Sequence, residues 1–201
     1  MITIYHVPGT RSVRPIWTCE ELGLPYEVVP VDFSAEYRAS PEWRQRNPVG
    51  KVPAMTDGDL SMFESGAMVQ YILDRYGDGG LQPAAGTAEH ALYLQWSWFA
   101  ESTFARPLGE IVNHNRVFGD KASAAAIEEM QGRAHLCMQA LNEELANKPY
   151  LLGDTFSAAD IMMGYSLLLA ERMAPTDAYP VTTAYWEQLK ERPACQRALD
   201  V

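Results

Sequence analysis

Cysteine is scarce in this sequence and follows no pattern. The 201 residues include three cysteines, Cys19, Cys137 and Cys195, an odd number with no short spacing between any two of them. Such spacing matches neither a disulfide framework nor a metal-binding motif. We therefore expect no metal site and a protein that works in a reducing compartment.

Long apolar runs and an excess of basic residues are also missing. No apolar run approaches the length that spans a bilayer, and the first residues lack the basic and apolar segments of a secretory leader. Lysine and arginine total 16 against 26 acidic residues, a formal net charge of −10. That charge repels phosphate backbones and offers no polybasic patch for anionic lipid. The composition predicts a cytoplasmic protein that binds neither nucleic acid nor membrane.

The first third of the sequence alternates between strand and helix patterns. Short β-branched and aromatic runs predict strands, and apolar residues spaced three and four apart predict helices. The predicted strands are residues 2–5, 26–31, 52–56 and 60–63, and the predicted helices are residues 11–22, 40–44 and 65–76. Pro30 indicates an edge position for the second strand, because proline has no N–H to give to a neighbouring strand.

A stretch rich in glycine, proline and alanine follows, and after it the pattern is helical throughout. Apolar residues at helical spacing predict long helices at 88–116, 123–147 and 157–172, with two shorter ones between residues 182 and 199. We predict an α/β domain at residues 1–77, a linker at 78–87 and an all-helical domain at 88–201.

Residues 47–53 (NPVGKVP) come directly before the third predicted strand. One interpretation is an ordinary turn with two prolines. The other is a cis bond between Val52 and Pro53, which would turn the Val52 backbone outward to pair with an extended peptide. The sequence leaves both interpretations open.

Glu64 and Ser65 stand where the fourth strand ends and a helix begins. Ser65 is suited to cap that helix, and a helix N-terminus also offers free N–H groups that suit a carboxylate ligand. The predicted hairpin at residues 52–63 brings this pair close to Val52 and Pro53.

Further segments agree with these two motifs. They are residues 4–14, residues 20–26, and residues 153–160, where Ser157 and Asp160 form a capping box. Together the segments resemble the cytosolic glutathione S-transferase family, in its bacterial form with a Ser/Thr-like active site, over nearly the whole chain. The resemblance implies an α+β N-terminal thioredoxin-like domain followed by an all-α helical-bundle domain.

The resemblance also implies the residues that bind glutathione. In the family, the Val-Pro pair holds the cysteinyl backbone of glutathione and the Glu-Ser pair holds its γ-glutamyl end. Carried onto this sequence, the glutathione-binding residues are Lys51, Val52, Pro53, Glu64 and Ser65. No metal and no organic cofactor beyond glutathione, the co-substrate, is implied.

Family members place a Tyr, Ser or Cys near the end of the first strand, in contact with the glutathione sulfur. The catalytic candidates here are Thr10 and Ser12, with Arg11 between them. Thr10 aligns with relatives that read Ser-Arg-x-x-Arg, whereas Ser12 is equally placed to present its hydroxyl. The alternative interpretation is that either residue only caps the helix. A hydroxyl that donates to sulfur, near the positive end of a helix, favours the thiolate over the thiol, whose pKa is about 8.5. Cys19 falls inside the predicted helix, where we expect a core role.

The function that the resemblance implies is detoxification by transfer of glutathione to a hydrophobic electrophile. The alternatives are a glutathione-dependent peroxide or disulfide reductase and a non-catalytic glutathione-binding relative. The absence of a cysteine beside Thr10 argues against the disulfide route. The family also implies a homodimer, and the aromatic-rich helix from Ala88 carries more apolar residues than its own core needs.

Overall fold

The computed structural model describes all 201 residues, which form two compact units. The first unit contains Met1–Gly80 together with Glu191–Val201, and the second contains Leu81–Lys190. None of the helices is both long and apolar enough to cross a membrane.

A four-stranded mixed sheet forms the centre of the first unit. Its strands are β1 (Ile2–His6), β2 (Tyr26–Pro30), β3 (Ala54–Asp57) and β4 (Leu60–Phe63), in the order β2-β1-β3-β4. β1 pairs in parallel with β2 and antiparallel with β3, and β3 pairs antiparallel with β4. All four predicted strands are present, and β2 occupies the edge that Pro30 indicates.

Four helices accompany the sheet before the second unit begins. They are α1 (Val13–Glu21), α2 (Ala35–Ala39), α3 (Pro41–Arg46) and α4 (Ser65–Tyr76). The sequence pattern missed α2, because none of its residues is buried and it has no apolar face to detect. Its start depends instead on Ser34, whose side chain accepts a hydrogen bond from the Tyr37 N–H at 3.2 Å.

The second unit is entirely helical. It contains α5 (Ala88–Trp98), a π-helical turn (Phe99–Phe104), α6 (Ala105–Phe118), α7 (Ala124–Glu144), α8 (Ala158–Met173) and α9 (Pro180–Lys190). The π-helical turn interrupts the single helix predicted over residues 88–116. Ser166 explains how the turn is tolerated, because its buried hydroxyl donates to the Ala100 carbonyl at 2.7 Å.

The last helix, α10 (Pro193–Asp200), belongs to the first unit, whereas the sequence pattern placed it in a helical domain of residues 88–201. α10 packs against α1. Arg192, just before α10, donates two hydrogen bonds of 2.7 Å to the two carboxylate oxygens of Glu21, and Arg197 pairs with Glu20. A bidentate arginine–carboxylate pair has a directional geometry that sequence periodicity cannot indicate.

The capping box at the start of α8 is present as predicted. The Asp160 carboxylate is fully buried and accepts hydrogen bonds from the Ser157 N–H at 2.8 Å, the Leu151 N–H at 3.0 Å and the Tyr185 hydroxyl at 2.7 Å. Burial raises the pKa of Asp160, and these donated hydrogen bonds oppose the rise. The carboxylate therefore joins the loop, α8 and α9 at one buried point.

We expect Asp160→Ala to lower the free energy of unfolding by about 3 kcal/mol, because several buried donors lose their acceptor together. Chemical denaturation monitored by circular dichroism measures the change. Asp154→Ala, in the same loop at an exposed position, is the matched control and should leave the midpoint unchanged. Equal stability of the Asp160 variant and the wild type would contradict the role assigned to this carboxylate.

Candidate functional site

The register of the sheet brings three chain segments to the same end of the sheet, where the strands begin or stop. Tyr5, near the end of β1, pairs with Ala54 at the start of β3, and Ala54 in turn pairs with Phe63 at the end of β4. The loop that follows β1, the loop that precedes β3 and the start of α4 therefore meet at the same end of the sheet. These are the three segments that carry the residues singled out in the sequence.

The loop before β3 presents an unpaired stretch of backbone. The Val52–Pro53 bond is cis, the interpretation that the sequence left open. Asn47 holds the loop in place: its side-chain amide donates to the Pro53 carbonyl at 3.2 Å, and its side-chain oxygen accepts from the Val49 N–H at 3.2 Å. Neither the N–H nor the C=O of Val52 bonds to another group of the chain. Val52 can therefore pair with the backbone of an extended peptide.

Gly50 in this loop cannot be replaced by a residue with a side chain. Its φ is +63°, and a Cβ atom there would lie 2.6 Å from the carbonyl oxygen of Arg38. Arg44 closes the turn by donating to the Pro48 carbonyl at 2.6 Å. Lys51 follows, is exposed, and makes no hydrogen bond or ion pair within the chain, so its ammonium group is available to an anionic ligand.

The junction between β4 and α4 is strained. Glu64 is the only non-glycine residue with a positive φ, at 77°, a conformation that costs on the order of 1–3 kcal/mol. Its carboxylate is exposed and has no partner in the chain. The next residues begin α4, where the N–H groups of the first turn have no acceptor within the helix. This junction offers both donors and an acceptor to an amino-acid group.

Ser65 is almost fully buried at this junction, and its hydroxyl accepts a hydrogen bond from the Arg14 guanidinium at 3.2 Å. Arg14 itself has no exposed surface. Since the arginine supplies the donor, the Ser65 proton is free to be donated elsewhere. A buried positive charge behind the serine also favours an anionic ligand group in front of it.

The loop after β1 distinguishes the two candidate hydroxyls. The Thr10 side chain is partly exposed, and its Oγ1 lies 2.7 Å from the Val7 carbonyl oxygen and 2.8 Å from Ser12 Oγ. Ser12 has no exposed surface, and its hydroxyl contacts His6 Nδ1 at 2.8 Å. The side chain of Ser12 does not cap α1. Arg11 lies between them and is partly exposed. Thr10 is therefore open to a ligand and Ser12 is enclosed.

None of the three cysteines is available as a nucleophile. All three are buried and none forms a disulfide. Burial raises the pKa of the Cys19 thiol to about 12 and that of the Cys137 thiol to about 11. A thiol in that range is almost entirely protonated near pH 7. Cys19 occupies the buried core of α1, as the sequence pattern predicted.

Sequence reasoning missed three residues that support the site: His6, Arg14 and Asn47. His6 is a titratable residue at the last position of a buried strand, immediately before the loop that bears Thr10, and that position was the available signal. Arg14 is a buried charged residue in the first turn of α1. Asn47 precedes proline in a turn, where asparagine commonly bonds to the backbone two residues on.

Comparisons with known proteins identify the family of this chain. Two family models match the chain, the glutathione S-transferase N-terminal domain over residues 1–74 and the glutathione S-transferase C-terminal domain over residues 124–200. Glutathione S-transferase 3 of Zea mays is 30% identical, in an alignment that covers 98% of this chain and 93% of the maize protein. Glutathione S-transferase 1 of Triticum aestivum is also 30% identical and covers 96% of this chain and 90% of its own length.

A solved structure extends the agreement to three dimensions. Glutathione transferase URE2P8 from Phanerochaete chrysosporium, determined with oxidised glutathione, matches at a TM-score of 0.90 and 26% identity, over 99% of this chain and 93% of the fungal chain. The chain belongs to the glutathione S-transferase family. The family, the fold class and the enzyme class, glutathione transferase, are therefore confirmed, whereas the bacterial subtype stays a prediction.

Proposed function

We propose that this enzyme binds glutathione at the end of the sheet where the three segments meet, and that the glutathione thiolate attacks an electrophilic carbon of a hydrophobic small molecule. A C–S bond forms, the whole glutathionyl group is transferred, and the electron pair of the broken bond leaves with the displaced group or stays on the adduct. The observation that carries the proposal is the combination of one partly exposed hydroxyl, Thr10, with a strained junction at Glu64 and an unpaired backbone at Val52. In glutathione, the thiol suits the hydroxyl, the γ-glutamyl residue suits the junction and the cysteinyl backbone suits Val52.

We assign the binding roles from the hydrogen-bond donors, acceptors and charges at the site. The Val52 N–H and C=O suit the backbone of the cysteinyl residue, and Pro53 shapes the loop that presents them. The Glu64 carboxylate suits the α-ammonium group of the γ-glutamyl residue, while Ser65 and the free N–H groups of α4 suit its α-carboxylate. Lys51 suits the remaining carboxylate of the tripeptide. Arg11 adds positive charge near the sulfur.

Thr10 activates the sulfur in this proposal, and Ser12 supports it from behind. A hydroxyl that donates to a thiolate favours the ionised form and lowers the thiol pKa. Binding holds the thiolate at a fixed place next to its target, so positioning and charge stabilisation supply the rate enhancement. The buried cysteines favour this route over a mixed-disulfide reduction, and transfer to an electrophile is a detoxification reaction. The free, buried cysteines also support a cytoplasmic location.

We expect Thr10→Val to raise the pKa of the bound glutathione thiol by about one to two units, because a hydrogen bond to a charged group contributes about 1.5–3 kcal/mol. Thiolate absorbance of the complex against pH measures the shift. Thr10→Ser, which keeps the hydroxyl, is the matched control and should titrate like the wild type. An unchanged titration in Thr10→Val would remove Thr10 from the mechanism.

Ser65→Ala should weaken glutathione binding roughly 10- to 100-fold, because it leaves a polar group of the ligand without its hydrogen-bond partner. Isothermal titration with glutathione measures the dissociation constant, and turnover of a chloro-nitrobenzene compared with a disulfide tests the reaction class. Ser61→Ala, at an exposed position on β4, should bind like the wild type. Equal affinities for both variants would exclude Ser65 from the site.

We further propose that the protein is a homodimer that buries exposed apolar side chains of α5. Leu94 and Trp98 are one helical turn apart and 38% and 66% exposed. We expect Trp98→Arg to shift the protein to a monomer in sedimentation at micromolar concentration. Leu136→Arg, which changes an exposed leucine on α7, is the control. A single 22.4 kDa species for the wild type would exclude the dimer.

A further inference from the structure

A chain of hydrogen bonds joins Thr10 to a buried imidazole. Thr10 Oγ1 lies 2.8 Å from Ser12 Oγ, and Ser12 Oγ lies 2.8 Å from Nδ1 of His6. On its other side, His6 Nε2 lies 2.9 Å from the backbone oxygen of Val201. His6 is only 3% exposed. The partly exposed hydroxyl is therefore one end of a continuous path that leads into the first unit.

The protons of this chain have one consistent order in the free protein. A backbone oxygen only accepts, so Nε2 of His6 carries a proton and donates it to Val201. Burial lowers the pKa of His6, so the imidazole is neutral and Nδ1 is an acceptor. The Ser12 hydroxyl then donates to Nδ1 at 2.8 Å, its shortest contact with an acceptor, while the Val7 carbonyl lies farther away at 3.3 Å. The Thr10 hydroxyl donates to Ser12 Oγ or to the Val7 carbonyl. In this order neither hydroxyl proton is left to be donated to a ligand in front of Thr10.

A thiolate in front of Thr10 requires the reverse order. Thr10 must then donate outward to sulfur, and the 2.8 Å contact between Thr10 Oγ1 and Ser12 Oγ needs a proton donated by Ser12. Once Ser12 donates to Thr10, its 2.8 Å contact with His6 needs a proton on Nδ1. The two orders differ by one proton, which is the proton that a thiol loses when it becomes a thiolate.

We propose that His6 takes up the thiol proton of glutathione through Thr10 and Ser12, an inference that rests on the proposed function in which Thr10 faces the sulfur. The S–H bond breaks and its electron pair stays on sulfur. The proton goes to Thr10 Oγ1, the original Thr10 proton goes to Ser12 Oγ, and the original Ser12 proton goes to His6 Nδ1. Both hydroxyls end neutral, and the imidazole becomes an imidazolium.

The surroundings of His6 suit a proton that is held only while the thiolate exists. Both N–H groups of the imidazolium have an acceptor, Val201 and Ser12, so no buried donor is left unpaired. The pKa of His6 is lowered mainly by burial, and the hydrogen bond to Val201 opposes this. The charged side chains of the loop and of the surrounding elements are Arg11, Arg14, Glu20, Glu21, Glu27, Asp57, Arg192, Arg197 and Asp200. None of these side chains is among the causes of this shift. A thiolate formed in front of Thr10 adds a negative charge that favours protonation of the ring.

Nitrogen NMR of the intact wild-type protein, labelled with 15N-histidine, tests the relay directly. The imidazole shifts of His6 are recorded free, with glutathione, and with S-methylglutathione, which has no thiol proton. We expect a neutral ring protonated at Nε2 in the free protein and with S-methylglutathione. With glutathione bound and its thiol ionised at pH 7 we expect a doubly protonated ring, which requires the pKa of His6 to rise above 7 in the complex. A neutral His6 beside an ionised glutathione would overturn the relay.

Two variants test the same path by titration of the thiol. His6→Gln keeps a donor toward Val201 but lacks the acceptor at the position of Nδ1, and Ser12→Ala removes the middle of the chain. Both should raise the pKa of bound glutathione by about one unit and change its dissociation constant less than about threefold. His90→Gln, which changes a histidine bonded to Pro83 outside the first unit, should have no effect.

The failure of the relay and the failure of the proposed function give different results. If Thr10→Val raises the thiol pKa while His6→Gln and Ser12→Ala do not, and the His6 ring stays neutral, only the relay is wrong. If glutathione does not bind, or Thr10→Val titrates like the wild type, the proposed function is wrong as well. Should His6→Gln fail to fold, the NMR comparison of the wild-type complexes decides the question without it.

Discussion

The central position of β1 is the constraint on which the first unit depends. β1 is paired along both sides, and Ile2 and Ile4 are 3% and 0% exposed, so the strand has little freedom to move. His6, its last residue, is consequently a fixed point from which the loop with Thr10 departs. The same pairing aligns the start of β3 with the end of β1. Three loops that are far apart in sequence therefore meet because one buried strand is held from two sides.

In the proposed function, backbone groups do much of the recognition at this end of the sheet. Val52 offers an unpaired N–H and C=O, and α4 offers the free N–H groups of its first turn. Glu64 is part of the same site, and its backbone is strained: β4 before it and α4 after it hold the residue at a positive φ. A peptide ligand is well matched by such a surface, since each of its own backbone groups needs a partner.

The chain keeps its own thiols away from chemistry and places hydroxyls at the site. The cysteines are buried, and burial raises the pKa of Cys19 and of Cys137. In the proposed function the reactive sulfur therefore comes from glutathione. Helix α10 contributes to the same arrangement. The Arg192–Glu21 pair and the packing of α10 on α1 hold the end of the chain beside His6. Buried polar contacts of this kind give the hydroxyls of the loop a defined environment.

The sequence alone was sufficient for several features that depend on neighbouring residues. It determined the four strands, the edge position marked by Pro30, the start of α4 at Ser65 and the capping box of Ser157 and Asp160, because turn chemistry, capping and periodicity act over a few residues. Tertiary structure alone decided that Ser12 is enclosed and Thr10 is open, that α10 joins the first unit, and that His6 contacts both Ser12 and Val201. The contact between His6 and Val201 joins residues 195 positions apart. Burial and hydrogen-bond partners over such separations depend on how the whole chain packs, and no local pattern encodes them.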